Sequence, residues 1–288
     1  MPPVPFDEGT PLCLKVVIDC SGSMSGTSIA QARKGALAIL DQLRPQDYVN
    51  ITCFGNRHEH LFETLMPCDG LVIKSARARM ARLEADMGGT ETRAALKSAY
   101  RVSGRAGRRF EKWIAEVCPE VRPAVLLITD GEIWGGDDVI AEAVQSGHRV
   151  FTVGVGMAVA EGFIGELARA TGGACELVSP QEGMAELILV QFHRLRQPGI
   201  QPIELAWDVA PLWQTALPET LFAGDTVNVF AGFGSRGPAR LSYRGGAEVR
   251  SAQCRLNCPT FPAWPRKPAS APPSTKRRSS PWRSGTSC

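Results

Sequence analysis

The chain reads as an α/β protein: a doubly wound, mainly parallel sheet with one antiparallel edge strand, followed by a small C-terminal β-rich appendage. Three observations predict this. Residues 12–18 and 124–128 are almost wholly apolar, as strands buried on both faces are. Strand-like and helix-like segments alternate from residue 12 to residue 197, which implies βαβ units covered by helices on both faces. From Pro198 onward the texture changes to short strand-like pieces separated by Pro and Gly.

Residues 1–11 contain four prolines and read as a lead-in. The first strand, 12–18, is followed by a helix starting near Thr27 or Ser28, either of which can cap it. Ile29, Ala32, Ala36, Ile39, Leu40 and Leu43 recur at helical spacing, and Pro45 stops the run. Residues 48–54 alternate as a strand, and Asn56-Arg57 turns into a second one over 58–66, making an edge hairpin. Helices are expected over 71–86 and after Thr90, which would cap the second; Ala94, Ala95 and Ala99 form its inner face. Residues 104–120 are basic and irregular and include Trp113. Strand 124–129, helix 137–146 with Gly147 as its stop, strand 149–155, helix 161–171, strand 175–178 and helix 181–196 complete the domain. In the appendage, 198–250, strands are expected at 203–209, 226–233 and 239–243. So few strands alone would be marginal, so the appendage should pack on the helical domain or belong to a larger sandwich. Residues 251–288 carry seven Pro and seven Ser without apolar periodicity and read as disordered. The abrupt change after Val249 is what an altered reading frame or an atypical terminus would produce.

Charge is unevenly spread. The 288 residues have a net charge of +3, but 251–288 hold seven Lys/Arg and no acid. Residues 1–250 then carry 25 basic against 29 acidic side chains, so the folded part is mildly acidic and overall basicity does not point to nucleic acid. No stretch resembles a secretory leader or spans a bilayer, which gives a cytoplasmic reading. The nine cysteines are odd in number and scattered, several within predicted strands, and read as reduced thiols. Cys254 and Cys258 lack the second pair that a zinc site needs.

One cluster carries chemistry. Asp19-Cys20-Ser21-Gly22-Ser23 leaves the first strand with a carboxylate and two hydroxyls at alternate positions. Small oxygen donors without imidazole or thiolate suit Mg²⁺ or a similar hard cation. Gly88-Gly89-Thr90 opens a helix, and Thr129-Asp130-Gly131 ends the 124–128 strand. Ligands of such sheets bind at the carboxyl ends of the strands, where Asp19 and Asp130 both lie. Taken singly, Ser21 and Ser23 could satisfy a helix N-terminus and Asp130 could cap its loop. His58 and His60 share a strand face without a third ligand; edge-strand polarity accounts for them. His148 and His193 read as surface or helix residues. The basic clusters Arg105, Arg108 and Arg109, and Lys276-Arg277-Arg278, read as solvated.

Asp-x-Ser-x-Ser followed by a distant Thr and a distant Asp resembles the metal-ion-dependent adhesion site of von Willebrand factor type A domains. The matching positions are Asp19, Ser21, Ser23, Thr90 and Asp130, and the resemblance covers about 12–197, with 126–134 and 149–156 similar to bacterial members related to inter-alpha-trypsin-inhibitor-like proteins. The resemblance implies a Rossmann-like sheet and a bound Mg²⁺ (or Mn²⁺ or Ca²⁺). It implies that Ser21, Ser23 and Thr90 supply hydroxyls, while Asp19 and Asp130 act mostly through coordinated water. Two carboxylates balance a dication, and neutral hydroxyls leave it attractive to an Asp or Glu of a protein partner. Glu132 and Trp134 would rim that contact. The implied role is a non-enzymatic adaptor, with a AAA+ ATPase or a multicomponent defence or stress system as the kind of partner. A surface adhesin of the same domain type is the alternative and would need export. An aspartate-based Mg²⁺-dependent hydrolase is a further one, but it needs a carboxylate two residues after Asp19, where Ser21 stands. Gly22 to Gly26 places Met24, not Ser, at the centre of a Gly-x-Ser-x-Gly elbow, and Gly154-Val155-Gly156 lacks the third glycine of a dinucleotide loop.

Overall fold

The computed structural model describes residues 10–102, 123–130, 136–155, 161–178, 183–197 and most of 199–255. Five parallel strands form the centre: β1 (Cys13–Asp19), β2 (Tyr48–Phe54), β5 (Ala124–Thr129), β6 (Arg149–Val155) and β7 (Cys175–Val178). Two short strands, β3 (His58–His60) and β4 (Met66–Pro67), both run antiparallel to β2, and the sheet order is β3-β2-β1-β5-β6-β7. β1 lies between β2 and β5, which is why its seven residues are all buried.

Alternation sends the strand side chains into two cores. On one face Leu14, Val16, Ile18, Ile51 and Leu126 meet α1 (Thr27–Leu40), α2 (Gly70–Met80) and α6 (Met184–Leu195). On the other, Val17, Phe54, Val125 and Leu127 meet α3 (Thr92–Arg101), α4 (Gly136–Ser146) and α5 (Glu161–Ala170). The result is the doubly wound three-layer α/β architecture expected.

Local departures have identifiable causes. The single edge strand expected over 58–66 is two pieces, because the buried Asn50 amide takes the place of ladder partners. Its Nδ2 donates to the carbonyls of Phe62 at 2.7 Å and Thr64 at 3.0 Å. α2 starts where Asp69 Oδ1 accepts from the Leu71 and Val72 amides, and ends at Met80 rather than 86. Just beyond that end the Leu83 carbonyl accepts from Arg33 Nε at 3.1 Å. α1 does begin at Thr27, but its N-cap is Gly26 at φ 81°, without a side-chain cap from Thr27 or Ser28. Ala94 is exposed, and Leu96 takes the inner position beside Ala95 and Ala99. Gly147, at φ 72°, stops α4 as expected.

The appendage contains β8 (Ile203–Trp207), β9 (Trp213–Gln214), β10 (Ala231–Gly232), β11 (Pro238–Gly245) and β12 (Glu248–Arg255). β12, β11 and β8 form an antiparallel three-stranded sheet, so strand pairing reaches Arg255, past the expected boundary at 250. Within the range 226–233, where a strand is expected, the described residues carry β10 as their strand, and β9 falls outside every expected strand. The appendage is fastened to the α/β domain by Phe222, which is 1% exposed and stacks 5.5 Å from Phe151. Asp225 joins Arg194 at 3.0 Å beside it. The basic segment with Arg105, Arg108, Arg109 and Trp113, and the Lys276-Arg277-Arg278 triplet, lie outside the described residues. Of the cysteines, Cys13, Cys20, Cys53 and Cys68 are buried and Cys175 is half-buried. No helix among the described residues is long and apolar enough to cross a membrane.

Candidate metal centre

Parallel register assembles the site. Ile18 of β1 lies opposite Ile128 of β5, so Asp19 and Thr129 come level where both strands end. Asp19 is fully buried. Its Oδ1 accepts from the Ser21 amide at 2.9 Å and its Oδ2 accepts from the Thr129 hydroxyl at 2.6 Å. The chain then turns through a single 3-10 turn, Gly22–Met24, before α1. Ser21 Oγ lies 3.0 Å from Ser23 Oγ, and Ser23 Oγ donates to Asp130 Oδ1 at 2.8 Å. Four side chains thus form one row of oxygen atoms across two strand ends. Neither serine caps a helix with its side chain, which removes the simplest structural account of their spacing.

A third loop is stitched to the first. The Met87 amide donates to the Cys20 carbonyl at 2.9 Å and the Gly22 amide to the Gly88 carbonyl at 2.8 Å. Gly89 N donates to Asn56 Oδ1 at 2.9 Å, and Glu91 N to the Gly55 carbonyl at 2.9 Å. These bonds bracket Thr90, which is half-buried. Gly88 is required here: its φ is 81°, and a Cβ would come 2.4 Å from Asn56 Nδ2. Thr90 does not cap α3, which begins at Thr92 with Glu91 as N-cap. Its loop is instead tied to the Asp19 loop.

Burial pushes the Asp19 carboxyl above the usual carboxylate range, and the hydrogen bonds from Ser21 and Thr129 pull it partly back. Burial also raises Asp130; the Ser23 hydroxyl opposes this, while the charge of Asp19 adds to it. Two carboxylates at one strand edge therefore repel each other and lose solvent, a cost that a dication would offset. Every donor in the row is a carboxylate or hydroxyl oxygen, so the residues fit a hard cation such as Mg²⁺. Among the described residues no three His, Cys, Asp or Glu side chains gather as a metal cluster, so hydroxyls must complete any coordination sphere here.

Thr129 is a site residue that the sequence reading passed over. Its signal was present: a hydroxyl closing an otherwise apolar strand directly before Asp130. Glu132 and Trp134 lie outside the described residues. His148 is not a surface residue but 6% exposed. His60 bonds Thr52 Oγ1 and Ser98 Oγ, each at 2.8 Å, so it serves packing between the edge strand and α3.

Comparison with known proteins bears on the fold. A rat von Willebrand factor A domain-containing protein 5A is 28% identical over 247 residues, covering 80% of this chain and 28% of the relative. The human protein of the same name is 27% identical, covering 83% and 31%. A Dictyostelium discoideum von Willebrand factor A domain-containing protein is 29% identical, covering 67% and 20%. The chain thus spans less than a third of these relatives' length. Among solved structures, a von Willebrand factor type A protein from Catenulispora acidiphila superposes with TM-score 0.55 at 17% identity, covering 86% of this chain and 66% of the other. The BatB protein of Bacteroides thetaiotaomicron gives TM-score 0.50 at 18% identity, covering 64% and 98%. At such identities the two structures speak for the fold alone. The sequence model of the von Willebrand factor type A domain matches residues 14–177, more than half of the chain, which therefore belongs to the von Willebrand factor type A domain family.

Proposed function

We propose that this chain is a non-enzymatic protein-interaction module that holds an Asp or Glu of a protein partner through a divalent cation. The cation would be Mg²⁺, or Mn²⁺ or Ca²⁺, held by Ser21, Ser23 and Thr90, with Asp19 and Asp130 acting through coordinated water. The observation that carries this reading is the hydrogen-bonded oxygen row Asp19–Ser21–Ser23–Asp130 at the carboxyl edge of the sheet. A bound dication would supply an electrophilic centre with a position open to one further carboxylate. The residues around it orient that centre: Thr129 and the Ser21 amide hold Asp19, and the Gly88 and Glu91 hydrogen bonds hold the Thr90 loop. Ser21, where an aspartate-based hydrolase needs a carboxylate, favours holding an acid over hydrolysis. A cytoplasmic adaptor serving a AAA+ ATPase or multicomponent system is the context proposed for it.

The test is a Mn²⁺ titration followed by electron paramagnetic resonance. Wild type should bind, and Asp19→Asn should bind at least about tenfold more weakly while keeping its circular dichroism spectrum. A peptide ending in Glu should associate in Mg²⁺, and its Gln counterpart should not. Equal Mn²⁺ binding by the two chains would overturn the assignment of the site.

A further inference from the structure

The two faces of the β9–β10 ribbon are covered unequally. On one face Trp207, at the end of β8, packs edge-on against Phe233 with ring centroids 5.2 Å apart, and its indole N–H donates to Gln214 Oε1 at 3.0 Å. On the other face the register sets Trp213 opposite Gly232, and the Thr215 amide continues the ribbon by donating to the Phe230 carbonyl at 2.9 Å. Trp213 and Phe230 are therefore diagonal neighbours on one face. Both are open, Trp213 at 59% exposure and Phe230 at 65%. A Cβ at Gly232 would come 2.3 Å from Trp213 Nε1, so the indole lies across a glycine. That indole N–H makes no hydrogen bond among the described residues. Single exposed hydrophobics are ordinary. Two large aromatics on one face, with a donor to spare, suit an extended proline-rich segment.

The same chain contains such a segment. Pro259, Pro262, Pro265 and Pro268 recur at every third residue. A polyproline II helix has three residues per turn, so all four prolines fall along one edge, and its carbonyls have no internal hydrogen bonds. Strand register also brings the segment close. β8 and β12 flank β11 and run in the same direction; Trp207 lies opposite Leu241, and Arg255 lies opposite Pro238. β12 thus leaves the sheet at the Trp207 end, about 10 Å beyond the level of Trp207 and about 10 Å to its side. The seven residues from Arg255 to Pro262 span roughly 20 Å as polyproline II, which covers that gap.

We propose that the Trp213–Phe230 face is a docking surface for this chain's own residues 259–268, held as a polyproline II helix. The proline edge lies against the two rings, and one carbonyl of the segment accepts from the Trp213 indole. Taken alone the segment reads as disordered because nothing within it holds it; the aromatic face supplies the missing contacts. Joined through so short a connection, it meets the face at an effective concentration on the order of 1 mM, so even a contact with a Kd of about 0.2 mM keeps it docked most of the time. The reading is independent of any cation at Asp19.

The experiment compares the full chain with its Trp213→Ala variant under limiting trypsin, following by mass spectrometry the cut after Arg266 and the cut after Arg278. Cleavage reports the undocked fraction, so the cut after Arg266 should be about fivefold faster in Trp213→Ala while the cut after Arg278 keeps its rate. A second variant leaves the ribbon untouched: Pro262→Gly with Pro265→Gly, read by hydroxyl-radical footprinting of Trp213 and Phe230. Both rings should be protected in wild type and lose that protection in the double variant. Equal Arg266 cleavage in wild type and Trp213→Ala, or a footprint that the double variant leaves unchanged, would overturn the proposal. Protection that disappears on tenfold dilution would overturn docking within one chain and assign the segment to a second copy.

Discussion

Polar groups are buried at both ends of the central sheet and are satisfied in opposite ways. At the amino ends, charge meets matching side chains. Asp47, fully buried before β2, pairs with the Arg196 guanidinium and accepts from the Leu12 and Arg44 amides. Lys15, 3% exposed in β1, places its ammonium 2.8 Å from His148 Nε2 and 3.1 Å from the Tyr100 carbonyl. At the carboxyl ends, Asp19 and Asp130 are held by hydroxyls and backbone amides, and both carboxyls are raised by burial. The first end spends its polar groups on fixing the fold. The second leaves negative charge for a ligand to neutralise.

Removing one partner at the amino end should have the largest effect. Arg196→Ala leaves the Asp47 carboxylate buried without its cation and should cost about 3–5 kcal/mol in urea unfolding. The Lys34–Glu186 pair, with side chains 64% and 63% exposed, is the control; Lys34→Ala should cost under about 1 kcal/mol. Similar losses for the two variants would break the comparison between the ends.

The next effect appears with pH. Burial, with the Lys15 ammonium second, pushes His148 down to about 3 from an ordinary 6.5. The folded protein therefore binds fewer protons than the unfolded chain between those values. The stability this group contributes is complete above 6.5 and is lost as pH falls toward 3. Each unit is worth about 1.4 kcal/mol, so about 2 kcal/mol should disappear between pH 6.5 and 5. His148→Gln keeps an acceptor for Lys15 and should flatten that slope; an unchanged slope would assign the acid sensitivity elsewhere.

The same division explains what the sequence revealed. β2, β5, β6 and β7 match their expected bounds and β1 lies within a residue of its own; for β1, β2, β5 and β6 the reason is that strands buried on both faces leave a continuous apolar signature. The positions Asp19, Ser21, Ser23 and Asp130 were legible because three of them repeat within one short loop. Thr129 was not, since a threonine at a strand end has many ordinary uses. Lys15 and His148 were illegible for a physical reason: a buried cation is acceptable only once a partner 133 residues away is in place, and no local pattern carries that. Asn50 interrupts the edge strand by the same kind of long-range contact, and Thr90 looked like a cap because caps and metal-loop hydroxyls draw on the same residue types.

An effect of similar size tests the carboxyl end directly. Thr129→Val keeps the shape of the side chain and removes the hydroxyl that donates to Asp19. The Asp19 pKa is already raised above 3.8, so its contribution to stability is full below that value and declines as pH rises through the folded pKa. Without the Thr129 bond, which favours the anion, that pKa rises further and the decline deepens. The variant should therefore match wild type near pH 3.5 and trail it at pH 7 by about 1.5–3 kcal/mol, the worth of a hydrogen bond to a charged group. Saturating Mg²⁺ should narrow the gap at pH 7, because a dication beside Asp19 favours the same anion. A loss equal at both pH values would mean that Thr129 acts by packing alone, and the carboxyl end would then resemble the amino end more closely than its hydrogen bonds suggest.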